Sequence, residues 1–303
     1  MTLPAARPLR RESRVGKGRV RRPERLGERV ALLGPGLGYS LLFLAVPLGL
    51  VAVYAFLTAK RFGRVGGPVT LANVQRLTEP LYRDVAFTSL KLAAIATVIA
   101  LLIGYPAAYA LSRLPRRWRT VGIMLVVIPF WTNFLIRTYA WIVLLNDQGL
   151  INKLLGSLGI IDSPVQLMNH EPAIVLGFVY AYLPLMILPL YASIERLDPS
   201  LVEAAGNLGA TPWQRFVTVI LPMTAQGAVT GSLFVMIPSL GNFVIPELLG
   251  GGLTATLGTV ARDQYLTDQN WPFGSAIALM ILVVIVGIMV FQSLLTRRFG
   301  DRS

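Results

Sequence analysis

The chain alternates between long apolar segments and short polar ones. Six apolar segments reach about 20 residues or more, the length that a helix needs to cross a hydrocarbon core about 30 Å thick. They cover residues 31–57, 85–111, 121–145, 172–193, 221–248 and 273–295. The pattern therefore predicts an all-α, polytopic membrane protein with six transmembrane helices.

Composition supports this interpretation and excludes several kinds of site. Hydrophobic residues make up 54% of the 303 residues, charged residues only 14%, and the mean hydropathy is +0.62, far from the composition of soluble domains. Cysteine is absent and His170 is the single histidine. A disulfide framework, a thiolate metal site and a multi-histidine zinc site are therefore excluded, and we expect no metal site.

Lysine and arginine are distributed unevenly between the polar segments. The N-terminal tail, the second and fourth loops and the C-terminus together hold nineteen of them, against seven in the other loops. Cytoplasmic loops carry the excess of positive charge in membrane proteins. The count predicts cytoplasmic N- and C-termini and a cytoplasmic loop at 194–220. It explains the formal charge of +13 better than nucleic-acid binding does, since no aromatic-interleaved basic surface accompanies the charge.

The chain divides into a tail and a membrane domain. Residues 1–30 contain ten basic residues and three glutamates with few apolar ones, a composition typical of a disordered segment. We predict a disordered cytoplasmic tail at 1–30 and a six-helix membrane domain at 31–303, with its first span at 31–57 and its core at 85–295.

The cytoplasmic loop carries helix start and stop signals. Asp198 precedes Pro199, which predicts a cap followed by a proline at the first helical position, and Gly209 supplies a flexible stop. Thr211 and Gln214 then form a second start signal, a capping box. We predict two short helices that meet at Gly209.

The first of these helices has a small apolar face. Leu201, Ala205 and Leu208 share that face at helical spacing, and Ala204 keeps the helix slim. Two interpretations follow: an ordinary solvated loop, or a helix that inserts into the groove of a partner protein.

The spacing along this loop matches a known pattern. It consists of Glu203-Ala204-Ala205, three residues, Gly209, nine residues, Val219, one residue and Leu221-Pro222. The loop resembles that of ATP-binding-cassette importer permeases, from which only Val219 departs, in place of isoleucine. The resemblance implies that Glu203, Ala204, Ala205 and Gly209 transmit the motion of an ATPase. It also implies that Leu221 and Pro222 set the re-entry into the fifth span.

Three further segments are similar to the spermidine/putrescine branch of these permeases. They are residues 129–141, residues 182–200 and residues 238–251, and the whole resemblance covers about residues 30–297. Asn242 stands where that branch often has an acidic residue. The resemblance implies a small cationic solute, with spermidine or putrescine as the first choice.

The resemblance also implies partners and a location. This chain would be half of the translocation path of a type I importer in a prokaryotic inner membrane. A second permease chain, expected to form a heterodimer with it, two ATPase subunits and a periplasmic or lipid-anchored solute-binding protein would complete the assembly. The chain has no Gly-x-x-x-x-Gly-Lys-Ser/Thr phosphate loop, so we expect no catalytic residue and no cofactor here, with ATP and magnesium held by the ATPase subunits.

Charged residues inside the spans are candidates for the pathway. Arg137 lies sixteen residues into the third span, which on a straight helix is about 24 Å from the cytoplasmic end. There it could pair with Asp147 or Glu247, or reach outward as Lys91 could. Glu247 is better suited to attract a cation.

Aromatic and polar side chains complete the candidate pathway. Trp131, Tyr139 and Tyr182 offer faces for cation-π contacts, although an interfacial aromatic belt has the same composition. The pathway candidates are therefore Trp131, Arg137, Tyr139, Tyr182, Asn242 and Glu247.

Two other functions stay open at this point. A secondary transporter or channel would work without an ATPase, but its usual marker, a carboxylate at the membrane centre, is missing from the spans. An importer permease for another small solute is the second alternative.

Overall fold

The computed structural model describes residues 34–36, 38–60 and 64–300, so the predicted tail at 1–30 lies outside the described residues. The described chain is largely helical, with one small two-stranded sheet, β1 (Thr58–Ala59) paired antiparallel to β2 (Val65–Gly66). The helices, numbered in chain order, are α1 (Gly34–Ala55), α2 (Ala72–Leu77), α3 (Pro80–Arg113), α4 (Arg116–Trp131), α5 (Phe134–Leu145), α6 (Leu150–Ser157), α7 (Glu171–Glu195), α8 (Pro199–Asn207), α9 (Pro212–Met223), α10 (Ala225–Gly241), α11 (Val244–Leu249), α12 (Leu257–Leu266) and α13 (Trp271–Gly300).

Four of the six predicted spans are single helices. Within the described residues, α1, α3, α7 and α13 are long and apolar enough to cross a membrane. The third and fifth spans are bent pairs: the chain turns by 91° between α4 and the α5–α6 segment, and by 64° between α9 and α10. The predicted spans at 121–145 and 221–248 are therefore bent helix pairs, and the chain crosses six times if each pair is one span.

Local chemistry explains the break after α4. Thr132 is extended, with ψ 156°, and its hydroxyl donates to the Pro129 carbonyl at 2.6 Å. The Asn133 side chain then accepts from the Leu135 amide at 2.8 Å. This is an N-cap, which begins a new helix in a new direction. Hydropathy cannot detect such a turn because the residues on both sides are apolar.

The bend between α9 and α10 lies at Thr224, whose backbone has φ −99° and ψ 3°. Upstream of Pro222 the helix widens into a π-helical turn at Phe216–Ile220. A proline lacks the amide that would bond the preceding turn, and π-helical turns are a common local response to such a defect. The Thr224 hydroxyl donates to the Ile220 carbonyl at 2.7 Å. The bend at the entry to the fifth span is therefore explained by the proline, the π-helical turn and the Thr224 hydrogen bond.

Helices α3, α7 and α10 form the centre of the bundle. Met186 of α7 is fully buried, and Gly104 of α3 and Gly231 of α10 both face it so closely that an added Cβ would lie 2.8 Å and 2.7 Å from its side chain. Small residues that allow such close approach are the usual means of helix packing in membranes. The three helices therefore meet without space for larger residues at these glycines.

One hydrogen bond and one aromatic contact join α3 to the last two helices. The Ser89 hydroxyl of α3 accepts a hydrogen bond from the Leu257 amide at 2.7 Å, which ties the start of α12 to α3. The Tyr82 and Phe273 rings make an edge contact between α3 and α13, with centroids 4.9 Å apart. Near the start of the described chain, the Tyr39 and Phe43 rings of α1 are 4.4 Å apart.

Candidate functional site

Helix α8, in the loop that the charge count predicts to be cytoplasmic, has the predicted N-terminal cap. The Asp198 carboxylate accepts a hydrogen bond from the Ser200 amide at 2.9 Å, and Pro199 occupies the first turn. This hydrogen bond favours the charged carboxylate, so it lowers the pKa of Asp198 below its ordinary value. The prediction of a helix beginning at Pro199 is confirmed.

The other end of α8 closes at the predicted glycine. Gly209 has φ +85°, its amide donates to the Gly206 carbonyl at 2.9 Å, and the Ala210 amide donates to the Ala205 carbonyl at 3.1 Å. This pair of bonds is a Schellman motif, which satisfies carbonyls at the helix end. A Cβ at Gly209 would meet nothing within 4 Å. Glycine is required here by the backbone conformation and not by packing.

Helix α9 begins two residues later and is fastened to α8. Thr211 and Gln214 form the predicted capping box, with bonds of 3.3 Å and 2.8 Å. The Arg215 Nε donates to the Ala210 carbonyl at 2.9 Å. Its guanidinium also lies against Gly206, where an added Cβ would be 2.9 Å from the Arg215 Cζ. Arg215 therefore joins the two helices.

The sequence pattern does not predict either member of this contact. In the sequence, Arg215 is one of the basic residues of the loop, and Gly206 is one of the three residues between Ala205 and Gly209 in the motif's spacing. One signal was available, since a glycine inside a helical pattern usually has a packing reason. The partner that it admits could not be identified without the turn at Gly209.

Three large apolar side chains of the two helices and the turn between them are exposed. Leu208 is 89% exposed, Trp213 is 71% exposed and Leu201 is 42% exposed. Glu203 and Ala204 are exposed as well, whereas Ala205 is half-buried. The predicted face thus presents its two leucines outward, while Ala205 lies toward the protein. We call the surface of Leu201, Leu208 and Trp213 the exposed apolar face.

Aromatic contacts connect this face to the bundle. The Trp213 ring stacks on Phe216 with centroids 5.6 Å apart, and Phe216 makes an edge contact with Tyr105 of α3 at 5.5 Å. The Tyr105 hydroxyl is 2.7 Å from the hydroxyl of Thr224, which is fully buried. An unbroken series of contacts therefore runs from the loop to the bend between α9 and α10. Leu221 and Pro222 lie immediately before that bend.

Two of the pathway candidates contact each other. The Asn242 Nδ2 donates to the Tyr182 hydroxyl at 2.8 Å, and the Asn242 Oδ1 accepts from the Ile245 amide at 2.9 Å. Asn242 thereby fills the break between α10 and α11 and joins it to α7. Its amide uses both a donor and an acceptor, which a carboxylate could not do.

Three candidates lie around the turn between α4 and α5. Trp131, at the end of α4, is 82% exposed, and Tyr139 on α5 is 54% exposed. Arg137 is close enough to the Tyr182 hydroxyl to interact with it electrostatically. Because the chain turns by 91° after Trp131, the straight-helix depth of about 24 Å for Arg137 is wrong. Arg137 lies on α5, the helix that follows the turn.

The acidic candidate has a different partner from the one predicted. Glu247 contacts Arg262 at 2.7 Å, and the same guanidinium contacts Asp263 at 2.6 Å. Of the two alternatives for Arg137, the pairing with Asp147 or Glu247 is not present among the described residues. The three charges at Arg262 leave one net negative charge near the end of the fifth span.

A second ion pair joins two helices, and the described residues contain no metal-binding cluster. Lys91 contacts Glu171 at 2.7 Å, which joins α3 to the first turn of α7. In the part of the chain that the structure describes, no three His, Cys, Asp or Glu side chains come together in a way that could hold a metal ion.

Comparison with known proteins agrees with the pattern of the loop. A family described as "Binding-protein-dependent transport system inner membrane component" matches residues 100–301. The chain is similar to the spermidine/putrescine transport system permease protein PotB of Haemophilus influenzae, at 43% identity over 84% of this chain and 88% of the relative. It is also similar to PotB of Escherichia coli, at 40% identity over 84% of this chain and 92% of the relative.

Solved structures agree on the fold. A chain of a bacterial alginate ABC transporter, solved in complex with an alginate pentasaccharide-bound periplasmic protein, matches with a TM-score of 0.73 and 19% identity. The match covers 91% of this chain and 98% of the other. At this identity the likeness concerns the fold alone.

Proposed function

We propose that this chain takes part in the import of polyamines such as spermidine and putrescine. The premise is that the chain belongs to the family of binding-protein-dependent transport system inner membrane components. The chain is a membrane-embedded permease subunit of an ATP-binding-cassette importer, and transport is its function rather than catalysis. The polyamine substrate follows from the names of its relatives in two bacteria, which share at least 40% of its residues over most of its length.

The observation that carries the mechanism is the capped helix α8 together with the exposed apolar side chains that follow it. Leu208, at the end of α8, and Trp213, in the first turn of α9, expose 89% and 71% of their surface. Large apolar side chains exposed this close together in a short polar loop are typical of a docking site. We assign this face to an ATPase subunit, which would receive α8 in a groove as other proteins receive amphipathic helices.

The contacts of α8 explain how motion could pass inward. Capped at both ends and fastened by Arg215 to α9, α8 would move as one body with α9. The rings of Trp213 and Phe216 then pass the displacement to Tyr105 and to the buried bend at Thr224. Rigid elements that meet at a bend are the usual parts of a hinge motion. Glu203, Ala204 and Ala205, with Gly209, Leu221 and Pro222, would be the coupling residues.

The partners of this chain divide the remaining tasks. ATP and magnesium would bind to two ATPase subunits, whose closure supplies the free energy for transport. A periplasmic or lipid-anchored protein would deliver the solute, and a second, different permease chain would complete the path. A neutral Asn242 in this chain fits a heterodimer, because the acidic residue often found at that position could then come from the other permease.

The described side chains among the pathway candidates and their partners would attract a cation only weakly. Glu247 and Asp263 share Arg262 and leave one net negative charge, and Tyr182 offers a ring close to Asn242. Such a site would guide a polyamine without holding it tightly. Selection of the solute would then rest mainly on the binding protein.

Transport by a reconstituted assembly tests this proposal. The complex of both permeases and the ATPase is placed in proteoliposomes with its binding protein, and accumulation of labelled spermidine and putrescine is measured with and without ATP. We expect uptake only with ATP and the ATPase present. Equal uptake without the ATPase would indicate a secondary transporter or channel. ATP-driven uptake of a different solute would preserve the class and contradict the substrate.

A further inference from the structure

Arg137 is a cation without an acceptor in the part of the chain that the structure describes. Its side chain makes no hydrogen bond or ion pair there, and its Nε is buried without a partner. The one specific contact of the guanidinium is with the ring of Phe130, 5.7 Å from the ring centroid. A ring face offers a guanidinium much less than a carboxylate does.

The position of Arg137 makes this unusual. The apolar part of α4, from Val121 to Trp131, rises about 15 Å, which is about half of a hydrocarbon core of about 30 Å. The turn of 91° then directs α5 across the axis of α4. If α4 runs along the bilayer normal, Arg137 stays near the level of the turn and does not approach the outer surface. A charged group at such a depth is expected to face protein or water and to have a partner.

Among the described residues, neither of the two acidic groups suggested by the sequence pairs with Arg137. Glu247 is occupied by Arg262 at 2.7 Å. Asp147 follows the end of α5 at Leu145, and that end is already about 12 Å along the helix from Arg137. The Tyr182 hydroxyl, which interacts electrostatically with Arg137, is a neutral group and is already hydrogen-bonded to Asn242.

The surroundings of Arg137 form an uncovered surface. Helix α4 buries none of its side chains, and Trp131 and Ile136 are 82% and 69% exposed. We call this surface, formed by Phe130, Trp131, Ile136, Arg137 and Tyr139, the elbow surface. Its single charge is positive and lacks an acceptor, so charge complementarity calls for an occupant that brings a carboxylate or another anion.

We propose that the second permease chain covers the elbow surface and donates a carboxylate to Arg137. This inference rests on the proposed function, which already requires a second permease. A cationic solute would be repelled by a bare guanidinium, and with α4 along the bilayer normal a lipid phosphate would lie at the headgroup level, away from the turn. The resulting intersubunit ion pair would remove the positive charge from the pathway and fix the register of the two permeases.

A charge exchange across the two chains tests the proposal. In the complete complex, Arg137→Glu should reduce ATP-dependent spermidine uptake at least tenfold, and Arg137→Lys should retain a measurable part of it. Each acidic residue in the predicted spans of the partner permease is then replaced by arginine, one at a time, in the Arg137→Glu background. One such replacement should restore uptake at least fivefold, together with co-purification of the two permeases.

Matched variants separate the possible outcomes. Lys153→Glu changes an exposed cation on α6 and should leave uptake unchanged. Restoration by no partner residue, or wild-type uptake by Arg137→Gln, would overturn the proposal. Uptake by Arg137 variants that depends only on whether the vesicles contain phosphatidylglycerol or phosphatidylcholine would assign the contact to a lipid phosphate and also overturn it. Absence of uptake by the wild-type complex would instead count against the proposed function.

Discussion

Replacement of Gly209 separates a backbone role from a packing role at the end of α8. Gly209 has φ +85°, and an added Cβ would meet nothing within 4 Å. The cost of a substitution therefore comes from the left-handed backbone conformation and not from a clash. A bulky residue should be harmful because of its backbone preference, while its volume should matter little.

The magnitude follows from this conformation. An ordinary L-residue in the left-handed region costs about 1–2 kcal/mol, whereas asparagine adopts that region more readily. That cost weakens the Schellman end, with its Gly206 and Ala205 acceptors, by a factor of about 5 to 30. We expect coupling to decrease in the order Gly209, Gly209→Asn, Gly209→Ala and Gly209→Val.

The assay is the ratio of spermidine imported to ATP hydrolysed by proteoliposomes that contain the whole complex. Gly209→Ala should lower this ratio several-fold while ATP hydrolysis continues, and Gly209→Asn should lower it less. Gly159 is a matched control. It has φ +69° with open space around it, and its amide and that of Ile160 close α6 in the same way. Gly159→Ala carries the same strain in a loop predicted to be external.

Two results would refute the reasoning. If Gly209→Asn were more harmful than Gly209→Ala, size would matter and the backbone account would fail. If Gly159→Ala lowered the ratio as much as Gly209→Ala, the effect would be a general loss of stability and not a loss of coupling.

Three other contacts give sharp expectations. Arg215→Ala removes the hydrogen bond to the Ala210 carbonyl and the packing against Gly206 of α8, so we expect a loss of about 1–2 kcal/mol in local stability and a lower import ratio; an unchanged ratio would contradict its role. Tyr105→Phe removes one bond to the buried Thr224 hydroxyl, and the thermal midpoint of the purified complex should fall by an amount equivalent to about 1 kcal/mol; an unchanged midpoint would remove this contact from the account. The pKa of Asp198 is lowered in the folded protein, so its cap is fully present above the unfolded pKa of about 4 and is lost as pH falls from there through the lower pKa of the folded protein. Exchange protection of the Ser200 amide should fall at acidic pH in the wild type and not in Asp198→Asn, and equal profiles would contradict this.

Local signals in the sequence predicted the two short helices of the 194–220 loop well. The caps at Asp198 and Thr211 and the stop at Gly209 depend on residues within three positions of one another, and the structure has all of them. Hydropathy likewise found every apolar segment, because length and composition determine whether a helix can cross a membrane.

The sequence could not reveal contacts that depend on how helices turn and pack. A side chain cap at Asn133 competes with helix continuation inside an apolar segment, so the turn after α4 has no hydropathy signal. The partners of Glu247 and Lys91 come from positions 15 and 80 residues away. Arg215 reaches Gly206 only because Gly209 reverses the chain. These pairings depend on tertiary geometry.

Crosslinking at Leu208 tests the central claim most directly. A photoreactive residue replaces Leu208, 89% exposed beside Gly209, or Leu158, 70% exposed beside Gly159, in the intact complex. We expect the variant at position 208 to crosslink to the ATPase subunit and the variant at position 158 not to do so. Crosslinking of the ATPase at position 158 and not at 208, or at neither position in a complex that still transports, would contradict the account.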